Sequence, residues 1–269
     1  PEETKKIIDS GKKLKVIGRA GVGVDNIDVE HATSKGIVVM NSPMGNVNAA
    51  AEHTVAMILA LSRHISKADY SMKKGLWERK KFQGNEMMGK KIGLVGVGNV
   101  GKIVAKIMQA FNAFVYAYDP FVSQDVAKEI GVHLVDLDFL LRNSDYISVH
   151  VPLNDKTKNM IEAKEFEKMK QGVKIINVGR GGIINENALY EALQNGKVSG
   201  AAIDVWETEP LNDYKLAKLG NVLATPHLGA STEEAQRNVA IDAAEKISDF
   251  LKNGVISGAV NSVSVGQKD

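Results

Sequence analysis

The sequence predicts an α/β fold in which a parallel sheet is covered by helices on both faces. Short apolar runs without polar alternation are typical of fully buried strands. Segments with apolar residues at helical spacing separate several of these runs, as repeated β-α units require. The chain has 269 residues, of which 44% are hydrophobic and 25% are charged. This is the composition of a folded globular protein that is long enough for two domains.

The first elements follow a charged helical pattern at the start of the chain. Apolar residues at 15–17 and 37–40 predict two short buried strands. Between them, Asp28 is placed to cap a helix that Gly36 ends. Asn48 then begins a long helix that runs past Leu61.

The alternation continues to the end of the chain. The stretch 99–111 places six apolar residues on one helical face, namely Val100, Ile103, Val104, Ile107, Met108 and Phe111. Further strands are predicted at 91–95, 114–118, 146–151, 174–178, 201–205 and 222–225. Further helices are predicted at 99–111, 124–130, 162–169, 185–195 and 231–252. In such a sheet the carboxyl ends of the strands form the ligand crevice, so functional residues are expected there.

Composition excludes several classes of function. The net charge is +2, from 34 basic and 32 acidic residues, which is too small for a nucleic-acid or membrane-surface protein. Cysteine is absent, so disulfides, cysteine-ligated zinc and cysteine nucleophiles are excluded, and we predict no metal site. No apolar run approaches the ~20 residues of a membrane span. No signal peptide is recognised, and a cytoplasmic protein is expected.

A glycine-rich turn predicts a dinucleotide site. Gly96, Gly98 and Gly101 form a G-x-G-x-x-G pattern between a predicted strand and a predicted helix. The first glycine allows a tight turn, the second lets the backbone approach a pyrophosphate, and the third lets helix and strand pack closely. Asp119 ends the next strand, where a carboxylate accepts hydrogen bonds from the ribose hydroxyls of NAD and repels the 2′-phosphate of NADP. S-adenosylmethionine is the main alternative ligand, and a chance combination of glycines and an acid is the other.

Side chains after three later strands indicate chemistry on a carboxylic acid. Arg180 lies among glycines after the strand at 174–178, in a chain with six arginines and 28 lysines. Its planar fork suits a carboxylate clamp with a bidentate geometry that lysine lacks, and a solvated arginine in a surface turn is the alternative. Glu209 and His227 follow the next two strands, so the carboxylate can fix the imidazole tautomer and favour its protonated form. Such a pair can protonate a carbonyl oxygen while a hydride arrives at its carbon.

The other five histidines are interpreted as structural. They are His31, His53, His64, His133 and His150. Because His150 also lies at a strand end, it is the second choice for the catalytic histidine.

Four blocks of sequence resemble the D-isomer-specific 2-hydroxyacid dehydrogenase family. They are 96–101, 177–182 with Glu186 beyond it, 204–210 and 226–232, and they occur in the family's order over essentially the whole chain. Further pieces of the likeness are G-R-A-G-V-G-V-D-N at 18–26, W-E-R-K-K-F at 77–82 and H-L-G-A-S-T at 227–232. Together these motifs are highly specific.

The resemblance implies two doubly wound parallel-sheet domains. A Rossmann-type NAD-binding domain at 45–237 would be inserted into a substrate domain at 1–44 and 238–269, which would lack the family's first β-α-β stretch. The chain ends soon after Val265 and is expected to carry no C-terminal regulatory domain. The resemblance also implies NAD as the cofactor and a homodimer built on the nucleotide domains.

The same resemblance implies roles for individual residues. Arg180, Glu209 and His227 would form the catalytic set, Asp204 would hold the nicotinamide carboxamide, and the backbone at Val22 and Gly23 would meet the substrate carboxylate. Cofactor contacts are implied for Gly96, Gly98, Asn99, Val100, Gly101, Asp119, His150, Pro152, Val178, Gly179, Asp204 and Gly229.

The expected reaction is the NAD-dependent oxidation of 3-phosphoglycerate to 3-phosphohydroxypyruvate in serine biosynthesis. A substrate phosphate needs cations beyond Arg180, and we predict Arg19 and Arg79 for that role, the latter acting on a partner subunit's site. A solvated basic loop is the alternative for the second. The alternative enzymes are a glyoxylate or hydroxypyruvate reductase and a D-lactate-type dehydrogenase. An alternative of another class is an NAD(H)-sensing corepressor that keeps the same residues.

Overall fold

A computed structural model describes residues 5–263, which divide into two compact units. One unit comprises the chain up to Ala49 and from Ala230 onward, and the other comprises Ala50–Gly229. The division predicted from the sequence, at 44/45 and 237/238, differs from this one by a few residues at each crossing, and the domain boundaries stay a prediction. The predicted helical opening at residues 1–4 and the chain end after Val265 lie outside the described residues.

The helices and strands alternate along the described chain. The helices are α1 (Lys5–Ser10), α2 (Val29–Ser34), α3 (Val47–Arg63), α4 (Ile65–Lys73), α5 (Asn99–Ala110), α6 (Gln124–Ile130), α7 (Leu137–Asn143), α8 (Ala163–Lys168), α9 (Glu186–Gln194) and α10 (Glu233–Asn253). The strands are β1 (Val16–Arg19), β2 (Val38–Asn41), β3 (Lys91–Val95), β4 (Phe114–Tyr118), β5 (His133–Leu134), β6 (Tyr146–Val149), β7 (Val173–Asn177), β8 (Val198–Ile203) and β9 (Val222–Ala224). A short 3₁₀ helix spans Arg79–Phe82.

The smaller unit is built on a parallel pair of strands. β1 and β2 pair from Val16 opposite Val38 to Arg19 opposite Asn41. Since successive side chains of a strand point to opposite faces, Val39 packs on one face with residues of α1 and α2, and Val38 packs on the other with residues of α10. Helices therefore cover both faces of this pair.

The larger unit contains a seven-stranded parallel sheet in the order β5-β4-β3-β6-β7-β8-β9. The chain runs outward from β3 to β5 on one side and then returns to start β6 on the other side of β3. This reversal creates a crevice at the carboxyl ends of β3 and β6, where ligands bind in doubly wound sheets. The predicted fold class is confirmed.

Helices cover both faces of this sheet as well. On one face, Val104 and Met108 of α5 pack against Leu94 in the first large core cluster. On the other face, Leu140 of α7 and Leu189 of α9 belong to the second large cluster. The strands buried between these layers are apolar on both sides, which explains why they lack polar alternation.

All eight predicted strands are present, with ends that differ by up to three residues. β1 extends to Arg19, which the sequence places after the strand. The structure adds α4, β5, α7 and the 3₁₀ helix, which the sequence patterns did not indicate. β5 has only two residues, and α4 presents large apolar side chains to solvent rather than one buried stripe.

Two negative findings apply to residues 5–263. None of their helices combines the length and the apolar character that crossing a membrane requires. Their His, Asp and Glu side chains form no group of three or more that could hold a metal ion.

Candidate active site

The turn between β3 and α5 has the geometry that its glycines predict. Gly96 has a φ of +95°, and a Cβ there would lie 2.8 Å from the carbonyl oxygen of His150. A Cβ at Gly101 would collide with the carbonyl oxygen of Gly96. A Cβ at Gly98 would meet no protein atom within 4 Å. The protein's own packing therefore requires Gly96 and Gly101, whereas the space beside Gly98 is available to a ligand.

The N-terminus of α5 opens at this turn. Gly98 is the N-cap residue and has no side chain with which to accept a hydrogen bond from the first turn. Asn99 is exposed, and Val100 is half-buried against the core. Backbone N–H groups and the positive end of the helix dipole suit the pyrophosphate of a dinucleotide. The turn therefore fits NAD, which Gly98 and its neighbours would hold by their backbone.

Asp119 borders the same turn from the end of β4. Its Oδ2 accepts the N–H of Val97 at 3.0 Å, and its Oδ1 accepts the N–H of Phe121 at 3.0 Å. Each carboxylate oxygen has a second lone pair with which to accept a further hydrogen bond. The side chain is thus held by backbone donors at the strand end, and its contact with ribose hydroxyls stays a prediction.

His150 follows β6 and lies beside the glycine turn. Its Nε2 lies 2.9 Å from the hydroxyl oxygen of Ser148. Although part of the residue is exposed, burial lowers the pKa of His150 to about 4. A ring with so low a pKa is a weak base and accepts a substrate proton poorly, which favours His227 as the acid-base residue. Pro152, two residues further on, is exposed, and its carbonyl oxygen accepts the hydroxyl of Thr157 at 2.5 Å.

Asn177 shapes the turn that carries Arg180. The Oδ1 atom of this buried asparagine accepts the N–H of Gly179 at 3.1 Å, and its Nδ2 donates to the carbonyl oxygen of Arg180 at 2.9 Å. Arg180 is half-buried, and its Nη1 donates to the carbonyl oxygen of Gly179 at 2.9 Å. A Cβ at Gly181 would overlap the carbonyl oxygen of Trp206. The turn is therefore fixed from within by Asn177 and from outside by the loop after β8.

His227 and Glu209 form the expected pair. The Nδ1 atom of His227 lies 2.6 Å from Oε2 of Glu209, and Oε1 of Glu209 accepts the N–H of Trp206 at 2.9 Å. An ionised carboxylate only accepts hydrogen bonds, so Nδ1 carries the proton. Nε2 is then the ring atom that can exchange a proton with a ligand. His227 has a φ of +56°, a left-handed conformation that is uncommon for residues with a side chain, although histidine adopts it more often than most.

Asp204 lies beneath the turn that carries His227. Its carboxylate is fully buried and accepts the hydroxyl of Thr225 at 2.5 Å and the N–H groups of Leu228 and Gly229 at 2.8 Å each. His53 brings its Nε2 to 3.3 Å from the same carboxylate. A buried charge requires such partners. Asp204 thus anchors the turn after β9, and its predicted contact with the nicotinamide carboxamide stays a prediction.

The roles of three residues of this site, namely Asn177, Thr225 and His53, were not predicted from the sequence. Asn177 stands inside a block that the family resemblance highlighted, and a buried asparagine that ends an apolar strand is a usable signal. Thr225 directly precedes the Pro-His step, but its partner Asp204 lies 21 residues away. His53 lies on α3, far from Asp204 in sequence, and no local pattern connects the two.

The remaining predicted cofactor residues of the turn regions pack against protein. Val178 is buried, and a Cβ at Gly229 would lie 3.0 Å from its Cγ1. A Cβ at Gly179 would lie 3.2 Å from the carbonyl oxygen of Val149. A side chain at either position would therefore require its neighbours to shift by a few tenths of an ångström.

In the smaller unit, the predicted substrate residues lie at the end of β1 and in the loop that follows it. The Nη1 of Arg19 donates to the carbonyl oxygen of Ala20 at 2.5 Å, while its Nε is buried without a hydrogen-bond partner among residues 5–263. The carbonyl oxygen of Val22 accepts the Nδ2 of Asn41 at 2.7 Å, and Gly23 is half-buried. The loop is thus tied to the end of β2.

In the larger unit, Arg79 begins the 3₁₀ helix and is exposed. Its neighbour Trp77 is also exposed, to 81%. The structure therefore places Arg79, which was predicted to bind the substrate phosphate, on an exposed surface.

The larger unit combines a dinucleotide turn at the reversal of a parallel sheet with a carboxylate-oriented histidine at another strand end. These features define an NAD-binding dehydrogenase domain. The family model for the NAD binding domain of the D-isomer specific 2-hydroxyacid dehydrogenases matches residues 55–229. The chain belongs to this family, and its cofactor is NAD.

Curated relatives include D-3-phosphoglycerate dehydrogenases. The chain is 53% identical over 258 residues to that of Synechocystis sp., which covers 96% of this chain and 47% of the relative. It is 53% identical over 264 residues to that of Archaeoglobus fulgidus, which covers 98% of this chain and 50% of the relative. The chain thus spans about half the length of the curated relatives it matches.

Solved structures of related enzymes have the same fold. A glyoxylate reductase from Paecilomyes thermophila superposes with a TM-score of 0.88 at 31% identity, covering 95% of this chain and 78% of that one. The D-lactate dehydrogenase of Aquifex aeolicus, solved with NAD and lactic acid, superposes with a TM-score of 0.84 at 33% identity, covering 93% of this chain and 80% of that one.

Proposed function

We propose that the protein catalyses the NAD-dependent oxidation of 3-phosphoglycerate to 3-phosphohydroxypyruvate, a step of serine biosynthesis. The observation that carries the proposal is the 2.6 Å contact between His227 and Glu209 at the carboxyl edge of the sheet that also bears the glycine turn. The choice of substrate is supported by relatives named D-3-phosphoglycerate dehydrogenase at 53% identity. The expected location of the enzyme is the cytoplasm.

Three side chains carry the reaction. NAD, when bound, supplies the acceptor for the hydride that leaves the substrate's C2 carbon. His227 takes the hydroxyl proton on Nε2, because Nδ1 is held by Glu209. The charge of Glu209 stabilises the imidazolium that results. Arg180 binds the substrate carboxylate with two parallel hydrogen bonds, and in the reverse direction it polarises the carbonyl group.

Further residues would select the substrate. Arg19 and Arg79 bind the phosphate, and the backbone at Val22 and Gly23 meets the carboxylate. The Nε of Arg19 supports this role, because it is a buried donor without a hydrogen-bond partner among the described residues. Asp204 contacts the nicotinamide carboxamide, and Asp119 contacts the ribose.

The protein acts as a homodimer that is built on the nucleotide-binding domains. Support comes from Tyr70, Met72, Leu76 and Trp77, which are exposed on α4 and the loop after it. Large apolar side chains that are exposed close together in sequence are typical of a protein contact. Because Arg79 lies two residues beyond Trp77, such a dimer would bring it near the partner subunit. Light scattering measures the mass, and Trp77→Ser is expected to shift the protein towards monomer.

A reductase acting on glyoxylate or hydroxypyruvate is the second candidate. It is favoured by the TM-score of 0.88 with a glyoxylate reductase. Both candidates use the same His227, Glu209 and Arg180, so they differ only in what binds the far end of the substrate. The phosphate group is therefore the property that distinguishes them.

The test is steady-state turnover of the full-length protein. NADH formation is followed with 3-phosphoglycerate, D-glycerate and D-lactate, and NADH consumption with 3-phosphohydroxypyruvate, hydroxypyruvate and glyoxylate. The proposal expects the highest kcat/KM for the phosphorylated pair. A higher kcat/KM for glyoxylate or hydroxypyruvate would assign the reductase function. NADH binding without turnover of any of these acids would favour the NAD(H)-sensing alternative.

A further inference from the structure

Two reciprocal hydrogen bonds join the helix that follows Arg180 to the loop that carries Glu209. The N–H of Glu207 donates to Oε1 of Glu186 at 2.6 Å. The N–H of Glu186 donates to Oε1 of Glu207 at 3.0 Å. Each carboxylate therefore accepts the backbone N–H of the other residue, and the two segments are held at a fixed distance.

A second contact lies next to this Glu186–Glu207 pair. Gly181 approaches the carbonyl oxygen of Trp206 so closely that no Cβ would fit. The N–H of Trp206 in turn donates to Glu209 at 2.9 Å. Arg180 directly precedes Gly181 on one side of this contact. On the other side, Trp206 is bonded to Glu209, whose carboxylate accepts the hydrogen bond of His227 Nδ1.

Capping of α9 explains only one of the two hydrogen bonds, because Glu207 accepts the first-turn N–H of Glu186, whereas the N–H of Glu207 that Glu186 accepts belongs to the loop after β8. Asn185 is the N-cap residue, and its side chain already accepts the N–H of Ala188 at 2.9 Å. The pair also brings negative charges together. Burial raises the pKa of Glu186, and the charges of Glu207 and Glu209 raise it further, against the lowering effect of the hydrogen bond from Glu207. A positive charge also faces α9, because the Nζ of Lys215 lies over the ring of Tyr190, further along the helix. An arrangement that costs electrostatic energy needs a benefit elsewhere.

We propose that Glu186 is a positioning residue of the dehydrogenase reaction. With Glu207 it fixes the turn of Arg180 relative to the Glu209–His227 pair, so that the carboxylate clamp and the acid-base group meet one substrate in one geometry. Misplacing a catalytic group by about 1 Å can cost roughly 100-fold in rate. The inference rests on the proposed function, because it assumes that Arg180 and His227 act on the same molecule.

The first test is kinetic and uses the full-length enzyme. Glu186→Ala and Glu207→Ala are each expected to lower kcat roughly 10- to 100-fold, with little change in KM for NAD. Glu186→Gln keeps an oxygen that can accept the N–H of Glu207, so it is expected to retain most of the activity. The double Ala variant is expected to be little worse than either single variant, because both remove the same link. Glu191→Ala, an exposed residue on the same helix, is the matched control.

Equal losses in Glu186→Gln and Glu186→Ala would overturn the positioning role. A double variant whose loss equals the product of the single losses would overturn it as well. A variant that only lowers Tm, with unchanged kcat per folded molecule, would show that the pair merely stabilises the fold.

The second test requires no substrate. Amide exchange followed by mass spectrometry reports on peptides that cover 179–187 and 204–210. Glu186→Ala is expected to speed exchange in 204–210, and Glu207→Ala in 179–187, because each loses the acceptor for the other's N–H. A response confined to the substituted segment would overturn the inference. Should the wild type oxidise D-lactate rather than 3-phosphoglycerate, the substrate proposal fails while the kinetic test proceeds with that acid.

Discussion

The carboxylate of Glu209 contacts both the ring of His227 and the backbone of Trp206. One oxygen of Glu209 lies 2.6 Å from Nδ1 of His227, and the other accepts the N–H of Trp206 at 2.9 Å. The backbone contact fixes the carboxylate, and the fixed carboxylate then orients the ring. With Nδ1 occupied, proton exchange with a substrate is left to Nε2.

Replacing His227 with Asn is expected to lower kcat by about 10²–10⁴-fold, the usual effect of removing a positioned acid-base group. Binding of NADH should persist, because the glycine turn around Gly98 does not involve this side chain. Steady-state kinetics measures the loss of kcat, and a fluorescence titration with NADH measures binding. Full activity in the variant would transfer the acid-base role to another group.

How much of this site the sequence could predict depends on the range of the interactions. The glycine turn was predictable because Gly96, Gly98 and Gly101 form a local pattern within one strand-turn-helix unit, although the atom that a Cβ at Gly96 would meet belongs to the distant His150. The Glu209–His227 pair was predictable as a possibility, because parallel strands end at one edge. Its distance was not predictable from the sequence.

Interactions between distant elements could not be predicted in the same way. The partners of Asp204 come from α3 and from the turn after β9, and nothing in the local pattern connects them. The reciprocal pair of Glu186 and Glu207 is a further case, since the two residues lie 21 positions apart, one at the start of α9 and the other in the loop after β8. The helix α7 is different, because its N-cap Asp136 and its buried Leu140 and Leu141 were readable as a helix signal.

Arg180→Lys is expected to be nearly as damaging to kcat/KM as Arg180→Ala. A lysine ammonium is a point charge and cannot form two parallel hydrogen bonds to a carboxylate. Arg142→Lys is the matched control, because Arg142 forms an exposed ion pair with Asp138 that contributes little. If Arg180→Lys keeps most of its kcat/KM, only the positive charge matters and the clamp is wrong.

Asp119→Ala is expected to narrow the preference for NAD over NADP by roughly 10-fold or more, because a charge-assisted hydrogen bond contributes about 1.5–3 kcal/mol. The variant should also have a lower Tm, since the N–H groups of Val97 and Phe121 lose their acceptor. Asp119→Asn, which keeps one acceptor oxygen, should fall between the two in Tm. The kcat/KM ratio for the two cofactors is the measurement, and a wild type that uses both equally well would refute the ribose contact.

His150 makes the fold sensitive to mild acid. Burial lowers its pKa to about 4, so the unfolded chain binds a proton at a higher pH than the folded protein does. Protonation of His150 therefore does not reduce the free energy of unfolding above the ordinary histidine pKa, but it reduces this free energy progressively as the pH falls towards about 4. Between about pH 7 and about pH 5 the loss attributable to His150 is at most about 2 kcal/mol. Urea unfolding of wild type and His150→Gln measures it, and identical pH dependence in both would contradict the assignment.

Arg19 and Arg79 are expected to determine whether the enzyme requires a phosphate group on its substrate. Arg19 has a buried Nε without a hydrogen-bond partner among residues 5–263, and Arg79 is exposed at the start of a 3₁₀ helix. Each Ala variant is expected to raise KM for 3-phosphohydroxypyruvate roughly 10- to 150-fold, as the loss of a charge-assisted hydrogen bond implies. KM for hydroxypyruvate, which lacks the phosphate, should barely change, and Arg142→Ala serves as the control. Equal losses with both substrates would mean that these residues hold the fold or the carboxylate, and the substrate would then be a 2-hydroxy acid without a phosphate requirement.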